Sequence, residues 1–388
     1  MSSLKAHFCL EDGGRFLNHG SFGACPRPVL EYQAKLREEL ESNPVRFMLE
    51  RRSELLFVVR HEAARFVNAR PDDLVFVTNA TSGVNAVLRS LRLRPGDEIL
   101  TTDHLYGACF QAARFVSERC GARVIAAEVP FPLEDPRQVT EAIVARVTGR
   151  TRLALIDHVT SLTGLVLPIA EIVHELSARG VETLVDGAHA PGMVEVDLTA
   201  LGAAYYAANF HKWVCAPKGA AMLWVRADKR ASVFPCVISH GYADESDERY
   251  HRLFDWTGTE DPTPVLCVGE ALRFMSRLFP GGWPQLMAYN RDLALEARGL
   301  LCVALGCAAP APEGMIGSLV SVLLPGKPAP EPMPRDPIYR ALREHGFETL
   351  VMPWKGERVL RVTAQAYNSR DDYSQLACLL PSVLASAS

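Results

Sequence analysis

Between residues 74 and 225, seven short apolar runs alternate with stretches whose apolar residues recur every three or four positions. The runs Leu74–Thr78, Glu98–Thr102, Arg123–Glu128, Arg152–His158, Glu182–Asp186, Ala203–Ala208 and Ala220–Val225 read as strands. Several are apolar on both faces, as a sheet covered by helices on each side requires. Among the intervening stretches, Thr81–Arg92 places Val84, Val87, Leu88 and Leu91 on one helical face. Pro168–Arg179 opens on proline and stops before Gly180, the asymmetry of helix start and stop. Repeated strand–helix units predict an α/β fold with a mainly parallel, doubly wound sheet.

The pattern changes on both sides of this region. Pro28–Ser42 carries Val29, Tyr32, Leu36 and Leu40 at helical spacing, and a second helix is predicted over Ser53–Asn68. After Asp255, helices are predicted over Pro264–Leu278 and Trp283–Leu301, then strands at Gly317–Leu324 and Arg358–Thr363. Residues 325–337 hold six prolines in thirteen positions, too stiff and donor-poor for a core element, and read as an exposed loop or a flap over a site. The expected organisation is an N-terminal arm and helix (1–50) packed with the C-terminal domain or a dimer interface, a large domain (51–262) and a smaller α+β domain (263–388).

Composition narrows the class of partner. Lys+Arg is 41 and Asp+Glu is 45, a formal charge of −4, without the basic excess of a nucleic-acid or anionic-membrane binder. The ten cysteines at 9, 25, 109, 120, 215, 236, 267, 302, 307 and 378 form no C-x-x-C, and read as reduced thiols of a cytoplasmic chain. The first fifteen residues lack the apolar core of a secretion signal, and no run approaches 18 apolar residues. No G-x-G-x-x-G follows a strand and no P-loop is present. His61-Glu62-Ala63-Ala64-Arg65 begins like a zinc-protease helix but ends in arginine, so no metal site is expected.

Four segments carry chemistry. In Thr78-Asn79-Ala80-Thr81-Ser82-Gly83 small polar residues open a helix, whose free N–H groups either bind a phosphate or are capped by Asn79 or Thr81. The strand Thr183–Asp186 ends in Asp-Gly-Ala-His, at the carboxyl end where open α/β sheets bind ligands. Lys212 in Asn209-Phe210-His211-Lys212-Trp213 is flanked by aromatic rings, which disfavour its ammonium form as an imine-forming lysine needs; the alternative is a snorkelling surface lysine. Arg361 projects from the apolar strand Arg358–Thr363, either to clamp a carboxylate or to make a structural ion pair.

Asp-x-Ala-His followed by His-Lys, with Lys212 twenty-six residues beyond Asp186, resembles the class V aminotransferase family of pyridoxal phosphate (PLP) enzymes. Phe16–Gly23, Asn43–Phe47, Trp256–Thr259 and Arg361–Asn368 are similar to the isopenicillin N epimerase-like branch, so the resemblance runs from about residue 16 to 375. It implies a fold-type I homodimer with a shared active site. Lys212 would hold PLP covalently and serve as acid/base at the substrate Cα, and Asp186 would pair with the pyridine nitrogen. His189 and Ser161 would lie near the phenolic oxygen. His104 would stack on the ring, with Tyr106 the alternative. Ala80, Thr81, Asn209 and His211 would bind the phosphate, Thr259 would reach it from a second subunit, and Arg361, with Asn368, would hold the substrate.

The resemblance leaves the reaction open, because one Cα carbanion partitions several ways. Cysteine desulfurases need a thiol on a loop shortly before the carboxylate-binding arginine, and no cysteine lies between Ala308 and Arg361. Epimerisation needs a second proton carrier beside Lys212, and a His, Tyr or water would have to serve. Elimination needs only Lys212 and a leaving group. The first reading is a lyase cleaving a C–S bond of a cysteine conjugate or related amino acid. An amino-acid or peptide epimerase is the alternative. A transaminase, a decarboxylating variant and a non-catalytic PLP-fold binding protein follow.

Overall fold

The computed structural model describes residues 3–326 and 333–386. Its central sheet has seven strands: β1 (Leu74–Val77), β2 (Glu98–Thr102), β3 (Arg123–Ala127), β4 (Thr151–Asp157), β5 (Glu182–Asp186), β6 (Tyr205–Asn209) and β7 (Ala221–Val225). They lie in the order β1-β7-β6-β5-β4-β2-β3. The adjacencies from β6 to β3 are parallel, whereas β7 runs antiparallel to both β6 and β1. Every residue of β2, β5's last four residues, and all of β6 and β7 are buried, so helices cover both faces and the strands read as apolar on both sides.

Parallel order stacks the carboxyl ends of β4, β5 and β6 along one edge. Asp157 pairs in register with Asp186, and Asp186 with Ala207, so two carboxyl groups end neighbouring strands. Reversal at β7 has a second consequence. An antiparallel neighbour needs no crossover helix, so Phe210–Ala220 is a tight excursion beyond the end of β6, closed by Phe210 N–H to Ala220 O (3.0 Å) and Ala216 N–H to Phe210 O (3.1 Å). Lys212 rides on it.

The C-terminal part adds a three-stranded antiparallel sheet, β8 (Leu319–Leu324), β9 (Leu350–Trp354) and β10 (Glu357–Thr363), in the order β9-β10-β8. Arg361 on β10 faces Ser321 on β8. The helices Gly282–Leu305 and Arg370–Ser386 belong to the same part of the chain. Arg15–Phe16 pairs parallel with Phe347–Glu348, and Thr363 N–H donates to Leu17 O (2.8 Å), which ties the N-terminal arm to the small sheet beside Arg361. Part of the expected proline-rich loop, residues 327–332, lies outside the described residues. Among the described residues no helix is long and apolar enough to cross a membrane.

Candidate active site

A cavity of about 660 Å³ opens at the carboxyl edge of the parallel strands, lined among others by Ala80, Thr81, Tyr106, Ser161, Asp186, His189, Asn209, His211 and Lys212. The loop bearing Lys212 is clamped from behind. His19 is fully buried; its Nδ1 accepts from Ala24 N–H (3.3 Å), so its other ring nitrogen carries the proton and donates to Lys212 O (3.0 Å). Gly23 has φ +73°, and a Cβ there would lie 2.0 Å from His211 O, so only glycine lets the arm approach this loop.

Hydrogen bonding sets the protonation of Lys212. Trp213 Nε1–H can only donate, and it lies 3.3 Å from His189 Nδ1. The neutral His189 ring therefore carries its proton on Nε2, which faces Lys212 Nζ at 3.0 Å. A ring N–H facing the amine requires a lone pair on it. Burial, followed by the Arg361 charge, pushes the Lys212 pKa down to about 8, and burial also pushes His189 well below the usual histidine range. Lys212 thus releases its proton far more readily than an ordinary lysine, and the free amine faces a neutral histidine.

The floor carries Asp186 and Asp157. Asp186 accepts from Ala188 N–H (3.0 Å) and the Cys109 thiol (3.1 Å), while Asp157 Oδ2 is buried without a partner. Burial raises both carboxyls above the usual range, and the Asp186 charge raises Asp157 further. At the phosphate end, Asn79 caps the helix Ala80–Ser90 by accepting from Ser82 N–H (2.8 Å), and Asn209 Oδ1 accepts from Ala80 N–H (2.8 Å). The capping and anion-binding readings therefore divide the first turn. Ala80 and Ser82 are taken, and the Thr81 N–H is left for an anion. His211 Nδ1 donates to Ala220 O (3.2 Å), and burial and Lys212 push its pKa down to about 4.

Arg361 is 1% exposed and has no carboxylate partner among the described residues. Its Nη1 donates to Ser161 O (2.6 Å), and its Nη2 donates to Asn18 Oδ1 (2.8 Å) and Ser21 Oγ (3.0 Å). Nε is unpartnered, and burial pushes the guanidinium down to about 10. A buried cation held only by neutral oxygens is costly unless an anion completes it. Of the two readings open for Arg361, the structural ion pair is absent.

Four expected site residues do not line the cavity: Arg361, buried behind Ser21 and Ser161, and three others. His104 is turned away, its ring nitrogens engaged by Thr163 Oγ1 (2.7 Å) and Val129 O (3.1 Å) and its ring covered by Trp354 at 4.5 Å; Tyr106, the alternative, does line the cavity. Asn368 is buried and committed to backbone at both amide atoms, donating to Phe16 O (3.1 Å) and accepting from Gln365 N–H (3.1 Å). Thr259 is exposed and does not line its own chain's cavity. Asp157, Asn18, Ser21 and Cys109 were not anticipated as site residues. Asp157 follows from the same strand-end rule as Asp186, and Asn18 and Ser21 lie within the segment Phe16–Gly23.

The donor set fits one kind of cofactor: a neutral amine for an aldehyde, a carboxyl for a ring nitrogen, and a free helix N–H for a phosphate. Comparison with known proteins agrees. The family model for aminotransferase class-V matches residues 21–317. The chain is 33% identical to isopenicillin N epimerase of Streptomyces clavuligerus, over 93% of this chain and 92% of that protein. It is 30% identical to putative L-cysteine desulfhydrase 1 of Oryza sativa subsp. japonica, over 97% of this chain and 84% of that one. Among solved structures, a C-DES mutant with glycine covalently linked to its PLP cofactor superposes with a TM-score of 0.81, at 21% identity, over 97% of this chain and 98% of that one. The chain belongs to the aminotransferase class-V family and is a PLP enzyme of the fold-type I architecture.

Proposed function

We propose that this chain is a C–S lyase, removing the Cα proton of a cysteine conjugate or related amino acid and expelling the sulfur-linked group from Cβ. The observation that carries the reading is the buried Lys212 amine, its pKa lowered to about 8, close to a buried arginine held only by neutral oxygens. Bound PLP supplies an electron sink for the carbanion at Cα. Lys212 holds the cofactor and then carries the proton to and from Cα. His189, 3.0 Å from Nζ, keeps the Lys212 amine aimed, and burial with the Arg361 charge lowers its pKa. Asp186, with two donors on its oxygens, would offer a carboxylate to the ring nitrogen, Thr81 N–H would meet the phosphate, and Tyr106 would lie against the ring. Arg361, oriented by Asn18, Ser21 and Ser161, takes the substrate carboxylate through parallel N–H bonds. The similarity to L-cysteine desulfhydrases supports the sulfur leaving group.

Epimerisation is the second reading, favoured by 33–34% identity to two isopenicillin N epimerases. It requires a second proton carrier, and the Tyr106 hydroxyl is the group at the mouth able to act as one. Incubating the holoenzyme with L-cysteine and S-substituted cysteines in deuterated water separates the outcomes. Pyruvate with ammonia means lyase, deuterated racemised substrate means epimerase, and amino-group transfer means transaminase; the last two refute the first reading.

The assembly we propose is a homodimer in which Thr259 serves the cavity of a second copy. Exposed Phe22, Val45, Leu49, Phe57 and Val58 offer the apolar surface such contact needs, and sedimentation of a monomer only would refute it. The unpaired state of all ten cysteines supports a reducing, cytoplasmic setting. The division at residues 50 and 262 is proposed with it.

A further inference from the structure

The turn after β4, Thr160–Gly164, is uncharged yet meets three separate parts of the chain at Arg361. Ser161 O accepts from Arg361 Nη1 (2.6 Å). The next carbonyl, Leu162 O, accepts from Ser321 Oγ (2.7 Å), and Ser321 faces Arg361 across the small sheet. Thr163 Oγ1 lies 2.7 Å from His104 Nδ1.

The direction of each proton follows from the partners. Val129 O can only accept, so His104 Nε2 carries the proton (3.1 Å) and Nδ1 is a lone pair that must accept from the Thr163 hydroxyl. With its own proton spent, Thr163 Oγ1 accepts from the Thr160 hydroxyl at 2.7 Å, and Thr160 Oγ1 in turn accepts from Leu165 N–H at 2.8 Å. One proton order satisfies the whole chain, and it needs a neutral ring at its end. Burial keeps His104 below the ordinary histidine value. The β9–β10 hairpin closes over this anchor: Trp354 covers the His104 ring, and Lys355 pairs with Asp103 beside it. Arg361 stands on the same hairpin.

We infer that His104 is a positioning residue for the carboxylate site: through Thr163 it fixes the turn whose Ser161 carbonyl aims Arg361. This rests on Arg361 as the carboxylate clamp. A guanidinium whose bidentate geometry hangs on a loop carbonyl is only as well placed as that loop. His104 is buried behind the cavity wall, so its effect is transmitted and not direct.

The test uses the PLP-loaded protein with His104→Ala, Thr163→Val and His104→Gln, the last keeping one donor and one acceptor. Expected are a five- to tenfold rise in KM for L-cysteine in the first two, the yield of one lost hydrogen bond, with PLP affinity and kcat within about twofold. The double variant His104→Ala/Thr163→Val should be no worse than either single one, and His104→Gln should restore most of the loss. Hydrogen exchange at the Leu165 amide, which needs no substrate, should quicken about tenfold in the first two variants. Thr163→Val preserves shape and stands in should His104→Ala not fold. Unchanged exchange, or a shifted cofactor absorbance with weakened PLP binding in His104→Gln, would overturn the inference. Arg361→Met separates the two failures: a raised KM there without one in Thr163→Val sinks only this inference, while an unmoved KM in both sinks the carboxylate reading itself.

Discussion

Lys212→Met should stabilise the cofactor-free protein while abolishing cofactor retention. Moving a lysine amine from its ordinary value of 10.5 to about 8 costs the folded chain about 3 kcal/mol at neutral pH, at about 1.4 kcal/mol per tenfold. The sign follows from proton counting. Between pH 8 and 10.5 the unfolded chain binds the proton that the folded chain has released, so stability rises with pH across that window. Below it the cost is constant; above it the cost is gone. Methionine removes the penalty, although the amine opens onto a cavity where water screens part of the cost. A net gain of about 1–2 kcal/mol at pH 7 remains. Urea unfolding of cofactor-free wild type and variant at pH 7 and above 10 measures it. A variant less stable than wild type at pH 7, or a gain that persists undiminished above pH 10, would refute the reasoning.

Arg361→Met should raise KM for amino-acid substrates on the order of 100-fold, the loss of a bidentate charge-assisted contact, with cofactor affinity unchanged; steady-state kinetics and a PLP titration check both halves. Asp157→Asn should flatten the pH dependence of cofactor-free stability. A carboxyl raised by burial and by Asp186 stabilises fully below its unfolded value and loses that contribution as pH climbs through the folded one. Wild type should therefore weaken as pH rises above the ordinary carboxylate value, apart from other groups, more than the variant does in matched urea titrations. His19→Phe, which keeps the buried ring but releases the Lys212 carbonyl, should lower kcat with little change in KM; the reverse split would show that His19 serves binding.

What the sequence discloses and what it hides divide by range. The strand ends at Asp186 and Asn209 are local facts, set by alternation and by the parallel order that alternation implies, and Lys212 follows because its loop leaves one of those ends. The same locality exposes Asp157, which pairs in register with Asp186. Its neighbour His158 is spent on the Tyr206 hydroxyl at 2.8 Å. Local propensity failed at β9, which carries Pro353, and at the helix Arg370–Ser386, which carries Pro381. Strand β9 lies at the edge of its sheet, where a missing N–H goes unnoticed. The site residues that stayed hidden are those decided by distant partners. Whether His104 or Tyr106 faces the cavity depends on Val129 and Thr163, 25 and 59 positions away. Whether Arg361 meets a carboxylate inside the protein depends on Asn18 and Ser21, 343 and 340 positions away. Both of these contacts join the amino-terminal arm to the carboxyl-terminal sheet, so the guanidinium takes up its position only once the chain's two ends have closed on each other.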